Sequence, residues 1–303
     1  HGPMTIGQKL WQVNWFLVIF IIILTAIGCA MLYSAGEGSW NPWATRHIIR
    51  FVIGLFLMIM VAVTDIRIWI RHAYPLYFLV LGLLIAVEVM GVIGMGAQRW
   101  IDLGIIQLQP SEIMKITLVL ALARFFHGAS LEEIGRPTSL IIPLLLVAAP
   151  VVLVVRQPDL GTAIMLTMTA GVIFFLAGVR TWKFGLVIGA ILAAMPLGWT
   201  VLHGYQKKRI LTFLNPESDP LGAGYHIMQS KIALGSGGVF GKGYLSGTQS
   251  HLNFLPEKQT DFIFTMLAEE FGMVGGLLLL GIYAIVLIYG FAIALRVHNQ
   301  FGR

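Results

Sequence analysis

Charge is scarce in this sequence. Only 11% of its 303 residues are Asp, Glu, Lys or Arg, whereas a soluble domain carries about 25%. So few charges cannot coat a water-facing surface, which excludes an ordinary soluble domain. Cysteine is scarcer still. Cys29 is the only one and lies inside an apolar run, so no internal disulfide and no multi-cysteine metal site can form; its plain role is that of a small packing residue. There is no HExxH pair, no cysteine–histidine cluster and no Gly-x-Ser-x-Gly elbow, which sets aside classical zinc and serine hydrolases. The glycine-rich run 235–243 is not a nucleotide-binding loop. Ser236 stands where the first glycine of that motif belongs, and Gly243 follows Lys242 where Ser or Thr is required. The sequence has no internal repeat of the inverted-transporter kind.

What the chain does have is apolar length. Hydrophobic residues make up 57% of it. Runs at 15–33, 48–63, 74–93, 112–126, 140–155, 162–178, 184–202 and 262–295 approach or exceed the roughly 17–25 residues of a spanning helix. The expected fold is an all-α, polytopic transmembrane helical bundle of about eight spans, with one long loop at about 203–261. His1-Gly2-Pro3 before Met4 reads as a tag scar, and 4–303 as a single membrane domain. With a cytoplasmic N-terminus, the inner short segments hold Lys9, Arg67, Arg71, Arg124, Arg136, Arg180, Lys183, Arg296 and Arg303. The outer ones hold Arg46, Arg50, Arg99, Lys115 and Arg156. Nine basic residues against five favour that orientation, with the long loop outside. The net charge of +6 then reflects topology, and no nucleic-acid partner is expected.

In such a chain the informative residues are polar ones close to the spans. Gln98-Arg99-Trp100-Ile101-Asp102, Gln109-Pro110-Ser111-Glu112 with Lys115, and Arg156-Gln157-Pro158-Asp159 fall on the expected outer side, together with Lys207-Lys208-Arg209 and Glu257 to Asp261. Glu112 and Lys115 are three apart at a helix start, so they share a face and can pair; Ser111 is the expected N-cap. Asp261 stands where the long loop enters the last helix, with Thr265 and Glu269 one and two turns further along the same face. The plainer reading of Asp261 is a charge favoured by the helix dipole. Glu88, Glu269 and Glu270 lie deeper, where a carboxylate is costly unless paired, protonated or wetted. A histidine or arginine partner is the expected answer for all three. Residues 223–234 are expected as an amphipathic surface helix with Ile227, Met228, Ile232 and Leu234 on its apolar side.

Four runs together resemble a known family. Gly96-Ala97-Gln98-Arg99-Trp100-Ile101, Gln109-Pro110-Ser111-Glu112, Gln157-Pro158-Asp159-Leu160-Gly161-Thr162 and Thr260-Asp261-Phe262-Ile263-Phe264 are similar, in order and spacing, to the hallmark runs of the SEDS family, which includes RodA, FtsW and SpoVE. The details are most similar to the elongation member. The resemblance implies ten spans and a late Pro-Leu-Ser-Tyr-Gly-Gly-Ser motif, so the chain reads as a truncated ten. It also implies a peptidoglycan glycosyltransferase of the bacterial cytoplasmic membrane, polymerising lipid II during elongation and cell-shape maintenance beside a class B penicillin-binding transpeptidase. Asp261 takes the family's essential aspartate. Arg99, Trp100, Glu112, Lys115, Gln157, Asp159, Lys207 and Arg209 become candidates for binding substrate. A divalent cation, Mg or Mn, bridging carboxylate and diphosphate stays open as a cofactor, since no motif marks a metal site.

Two other classes fit the same residues. A flippase for the same lipid needs a polar path, for which Glu88, Glu269 and Glu270 are the material. A scaffold that only positions a transpeptidase needs neither Asp261 nor the basic residues. The gathering of polar residues on one expected side favours chemistry there.

Overall fold

The computed structural model describes residues 2–90, 92–94, 97–102, 107–157, 159–254 and 257–303. The elements in chain order are α1 (Ile6–Gln12), α2 (Trp15–Ala35), α3 (Trp43–Val63), α4 (Ile66–Met90), β1 (Val92–Gly94), β2 (Ala97–Asp102), β3 (Gln107–Leu108), α5 (Pro110–Phe126), α6 (Leu131–Gly135), α7 (Ile141–Arg156), α8 (Leu160–Ala177), α9 (Thr181–Val201), α10 (Gly204–Leu214), α11 (Ala223–Ser236), α12 (Thr248–His251) and α13 (Ile263–Arg296). The three strands form one small antiparallel sheet in the order β1-β2-β3; the other elements are helices. Among the described residues, seven helices are long and apolar enough to cross a membrane.

The eighth expected span forms as α5, which has only 17 residues, eight of them buried. It packs against α4, α7 and α8. A helix surrounded by protein needs less apolar length than one facing lipid, so α5 can carry charges at both ends. At the other extreme, α9 buries no residue and α3 only Ala44.

Helix ends follow local chemistry more closely than they follow hydropathy. The Asn14 side chain accepts from Leu17 N–H at 3.2 Å and starts α2. The Asp65 carboxylate accepts from Arg67 N–H at 3.0 Å, so α4 begins a full two turns before its apolar run, through Arg67, Arg71 and His72. Gly178, with φ 104°, ends α8 in the left-handed conformation. At α5 the expected cap is corrected. Gln109 occupies the N-cap and Pro110 the first helical position, which its missing N–H and fixed φ suit. Ser111 is therefore already inside the helix, buried, and its hydroxyl has no partner among the described residues.

The chain divides into two compact units: 1–63 with 195–293, and 64–194 with 294–303. The second unit has a continuous apolar core. Tyr77 and Leu84 of α4, Met114, Leu118 and Leu122 of α5, Val154 of α7 and Leu166 of α8 are all essentially buried within it. The first unit has a small one, with Met31 and Ala35 of α2 against Met266 and Leu267 of α13. What it buries instead is polar: Ser34, Thr265, Glu269 and Glu270.

Candidate functional site

In the first unit, α13 is not one helix. Gly272 has φ 71° and ψ −160°, and the ladder breaks there. An unbroken helix would bond the N–H of Met273 and Val274 to the carbonyls of Glu269 and Glu270. Here the loop after α11 enters the gap and satisfies all four groups. Met273 N–H donates to Gly238 O at 2.9 Å and Val274 N–H to Val239 O at 3.1 Å. Lys242 N–H donates to Glu269 O at 3.0 Å and Gly243 N–H to Glu270 O at 2.9 Å. Irregular backbone at membrane depth survives only when its polar groups find partners within the protein. Two glycines make the approach possible. A Cβ on Gly241 would lie 2.2 Å from Glu270 O, and one on Gly272 would lie 2.4 Å from Gly241 N.

The two carboxylates at the break face the same loop. Glu269 Oε1 accepts from Gln249 N–H at 2.8 Å and from the Thr248 hydroxyl at 3.4 Å, and pairs with Lys242 Nζ at 3.6 Å. Lys242 Nζ also donates to the Thr248 hydroxyl at 2.6 Å. Glu270 Oε1 accepts from the Ser34 hydroxyl and lies 3.3 Å from His251 Nε2. The Oε2 atoms of both glutamates have no partner among the described residues. Tyr244 closes the loop on α2, its hydroxyl donating to Ala30 O at 2.6 Å and its ring stacked on Phe271. Burial pushes the Tyr244 phenol up from its ordinary range, which keeps it a donor.

Asp261 lies two residues before α13 and is exposed. Its carboxylate has no hydrogen-bond or ion-pair partner among the described residues. The turn that presents it is bonded to itself: Thr260 N–H donates to Glu257 O at 3.0 Å and Phe262 N–H to the same oxygen at 3.3 Å. Lys258 is buried and donates to Asn253 Oδ1 at 3.1 Å. On α10, Lys208 pairs with Asp219 at 3.4 Å. Lys207 and Arg209 beside it have no ion pair among the described residues.

The remaining candidates belong to the second unit. Lys115 Nζ lies 2.8 Å from Glu112 Oε2, the pair the spacing anticipated. Gln157 is buried, and its N–H closes the end of α7 on Leu153 O and Val154 O. Asp159 is the N-cap of α8, accepting from Thr162 N–H at 3.3 Å, so it has a helix-starting role beside any contact with substrate. Arg99 and Trp100 lie on β2, with Trp100 opposite Val92; their side chains, like Pro158, lie outside the described residues. Glu88 has Arg156 at 3.8 Å. Each of the three deep glutamates thus has a basic neighbour: Arg156, Lys242 or His251. No group of three or more His, Cys, Asp or Glu among the described residues is placed to hold a metal ion.

The sequence reading passed over Lys242, Ser34, Thr248 and His251. The signal available was indirect: two glutamates needing partners, a Gly-Lys-Gly in the long loop, and a glycine inside the last apolar run.

Residues 9–303 match the FTSW_RODA_SPOVE family of cell cycle proteins. The chain belongs to that family. It is 43% identical over 291 residues to the peptidoglycan glycosyltransferase MrdB of Escherichia coli K12, covering 94% of this chain and 77% of that protein. It is 31% identical over 368 residues to the peptidoglycan glycosyltransferase RodA of Treponema pallidum, covering 96% and 84%. Among solved structures, one chain of a peptidoglycan synthase complex that coordinates polymerisation and crosslinking superposes with a TM-score of 0.79 at 32% identity, over 96% of this chain and 81% of that one. The rod shape determining protein RodA of Thermus thermophilus gives 0.67 at 29%, over 96% and 78%.

Proposed function

We propose that this protein is a peptidoglycan glycosyltransferase that polymerises lipid II into glycan strands during cell elongation, with Asp261 as its base. The observation that carries the assignment of Asp261 is its exposed, unpartnered carboxylate, presented by a self-bonded turn at the start of α13. In glycosyl transfer a sugar hydroxyl attacks the anomeric carbon of the lipid-linked sugar. A C–O bond forms, the bond to the diphosphate breaks, and the electron pair leaves with the diphosphate. Asp261 accepts the hydroxyl proton, a role worth about 10²–10⁴ in rate. The leaving diphosphate gains charge, which Lys207 and Arg209 are free to meet. In the second unit Arg99, Lys115 and Glu112 are further candidates for binding substrate, Glu112 pairing with Lys115 at 2.8 Å. Gln157, Asp159 and Trp100 of the second unit are candidates for the same role.

The protein works from the cytoplasmic membrane with its N-terminus inside and the 203–261 loop outside, beside a class B penicillin-binding transpeptidase. The flippase reading loses its material. Glu269 is held by Lys242, Thr248 and Gln249, Glu270 by Ser34 of α2 and His251, and Glu88 faces Arg156 at 3.8 Å, which is poor furniture for a polar path.

The test uses the full-length protein with its transpeptidase partner and lipid II in detergent. Asp261→Asn is expected to lower the initial rate of polymer formation at least about 100-fold with unchanged thermal unfolding. Polymer made equally well by the variant removes Asp261 from the chemistry; no polymer from the wild type moves weight to a scaffold.

A further inference from the structure

We propose that Glu269 and Glu270 are positioning residues for Asp261, clamping the loop that presents it. The inference rests on Asp261 being the base. Asp261 has no partner of its own among the described residues; the backbone of the 257–262 turn bonds within itself and to the first turn of α13, and its Lys258 side chain donates to Asn253 Oδ1. Its position is therefore set by where the chain is fixed on either side. On the C-terminal side that point is the buried start of α13, at Thr265 and Met266. On the N-terminal side it is α12. There Glu269 holds Gln249 N–H and Thr248, and Glu270 lies beside His251 while anchoring on Ser34 of α2. Residues 242–251 are thus tied to the same helix that residues 257–262 lead into.

Stability alone does not explain this choice of residues. Both glutamates are completely buried, and each leaves one oxygen unpartnered among the described residues. Buried ion pairs are commonly no more stabilising than apolar replacements of similar volume. What carboxylates supply and apolar residues cannot is direction. Glu269 selects one register for Thr248–Gln249 and Lys242, and Glu270 one placement for His251 relative to α2. The backbone bonds at the Gly272 break fix residues 238–243, but they do not reach α12. Lys242 Nζ reaches the Thr248 hydroxyl at 2.6 Å, and the glutamates add the ties to Gln249 and His251 on the segment leading to Asp261.

The experiment uses the full-length protein with its transpeptidase partner and lipid II. Glu269→Ala and Glu270→Ala are compared with Glu269→Gln and Glu270→Gln. One readout is the separation of kcat from KM for lipid II. The other is the mobility of a nitroxide at Gln259→Cys in a Cys29→Ser background. The alanine variants are expected to lose kcat by about tenfold or more, with KM within about twofold, and to mobilise the label. Glutamine keeps an acceptor for Gln249 N–H and for Ser34, so those variants are expected to recover most of kcat and to hold the label still. Alanine variants with wild-type kcat, or with lost kcat and an immobile label, overturn the proposal. Where alanine prevents folding, Thr248→Val and Ser34→Ala remove one donor each and give the same paired readouts, with a smaller loss. A wild-type complex that makes no polymer refutes the reading of Asp261 as base. The clamp is judged separately by the label, and a label unmoved in every variant refutes it.

Discussion

Helix breaks in this protein are repaired in two opposite ways, at the prolines of α7 and α4 and at Gly272 of α13. In α7, Pro150 has no N–H, so the carbonyl four residues earlier, Leu146 O, loses its helical partner. The Tyr77 hydroxyl of α4 donates to that oxygen at 2.6 Å. Pro75 in α4 similarly frees Arg71 O, which accepts from Arg124 of α5 at 3.0 Å. In the second unit, then, one side chain from a neighbouring helix mends each break, and the helices stay packed around an apolar core. In α13 the break at Gly272 frees two carbonyls and two amides, and backbone of the long loop fills all four. A side-chain repair ties helix to helix and leaves the loops free. A loop repair commits the backbone of residues 238–243 to the broken helix and anchors the segment that leads on to Asp261. The second unit is built as a scaffold, the first as a holder for a loop.

The largest expected effect breaks the loop repair. Gly272 has backbone angles almost reserved for glycine, and a Cβ there would also meet Val239 O at 2.7 Å. Gly272→Ala is expected to cost about 3 kcal/mol or more, to expel the 238–243 loop, and to abolish polymer formation. Limited proteolysis checks it, with new cleavage inside 237–254 while 64–194 stays resistant. Resistance equal to wild type would mean that the loop does not depend on the break. Next in size comes a cavity in the scaffold. Leu118 is fully buried at the centre of α5, and Leu118→Ala is expected to cost about 2–3 kcal/mol, read as a lowered Tm. Polymerisation per folded molecule should fall by less than about threefold. A far larger loss would show that the second unit is more than scaffold.

Sequence alone reached the bundle, because length and hydropathy are local properties and a spanning helix is a local object. It reached the Glu112–Lys115 pair for the same reason, a spacing of three on one helix. It did not reach the break in α13, because Gly272 becomes exceptional only through a loop some 30 residues earlier in the chain, and the glycine-rich run looks the same whether docked or loose. Asp261 stood out by its place at the entry to the last helix and took its role from the family motif, yet its surroundings were not legible. The partners of Glu269 and Glu270 come from Ser34 in α2 and from residues 242–251, at separations that no periodicity records. Ser111 misled for a smaller reason: proline at the first helical position moved the cap back by one residue.

The side-chain repairs offer the finer test. Tyr77→Phe removes the hydroxyl and leaves a buried carbonyl unpaired, with an expected cost of about 1–2 kcal/mol. In a Pro150→Ala background the helix supplies its own N–H to Leu146 O, so the same substitution should cost almost nothing. The difference between the two costs is the coupling energy of the double-mutant cycle. An equal cost in both backgrounds would mean that Tyr77 acts only by packing.

The smallest effect belongs to Arg124. Its guanidinium donates to Arg71 O and also lies 4.6 Å from the centre of the Tyr74 ring. The bond is solvent-exposed, where water can replace the donor, and exposed cation–ring contacts contribute about 0.5–1 kcal/mol. Arg124→Met keeps the apolar stem and loses both contacts, so it should cost no more than about 1 kcal/mol by thermal unfolding. Added salt should leave that cost largely unchanged, because neither acceptor is a charged group. A cost several-fold larger would place Arg124 among the groups that hold α4 and α5 together, and would narrow the contrast between a scaffold mended by single side chains and a holder mended by a loop.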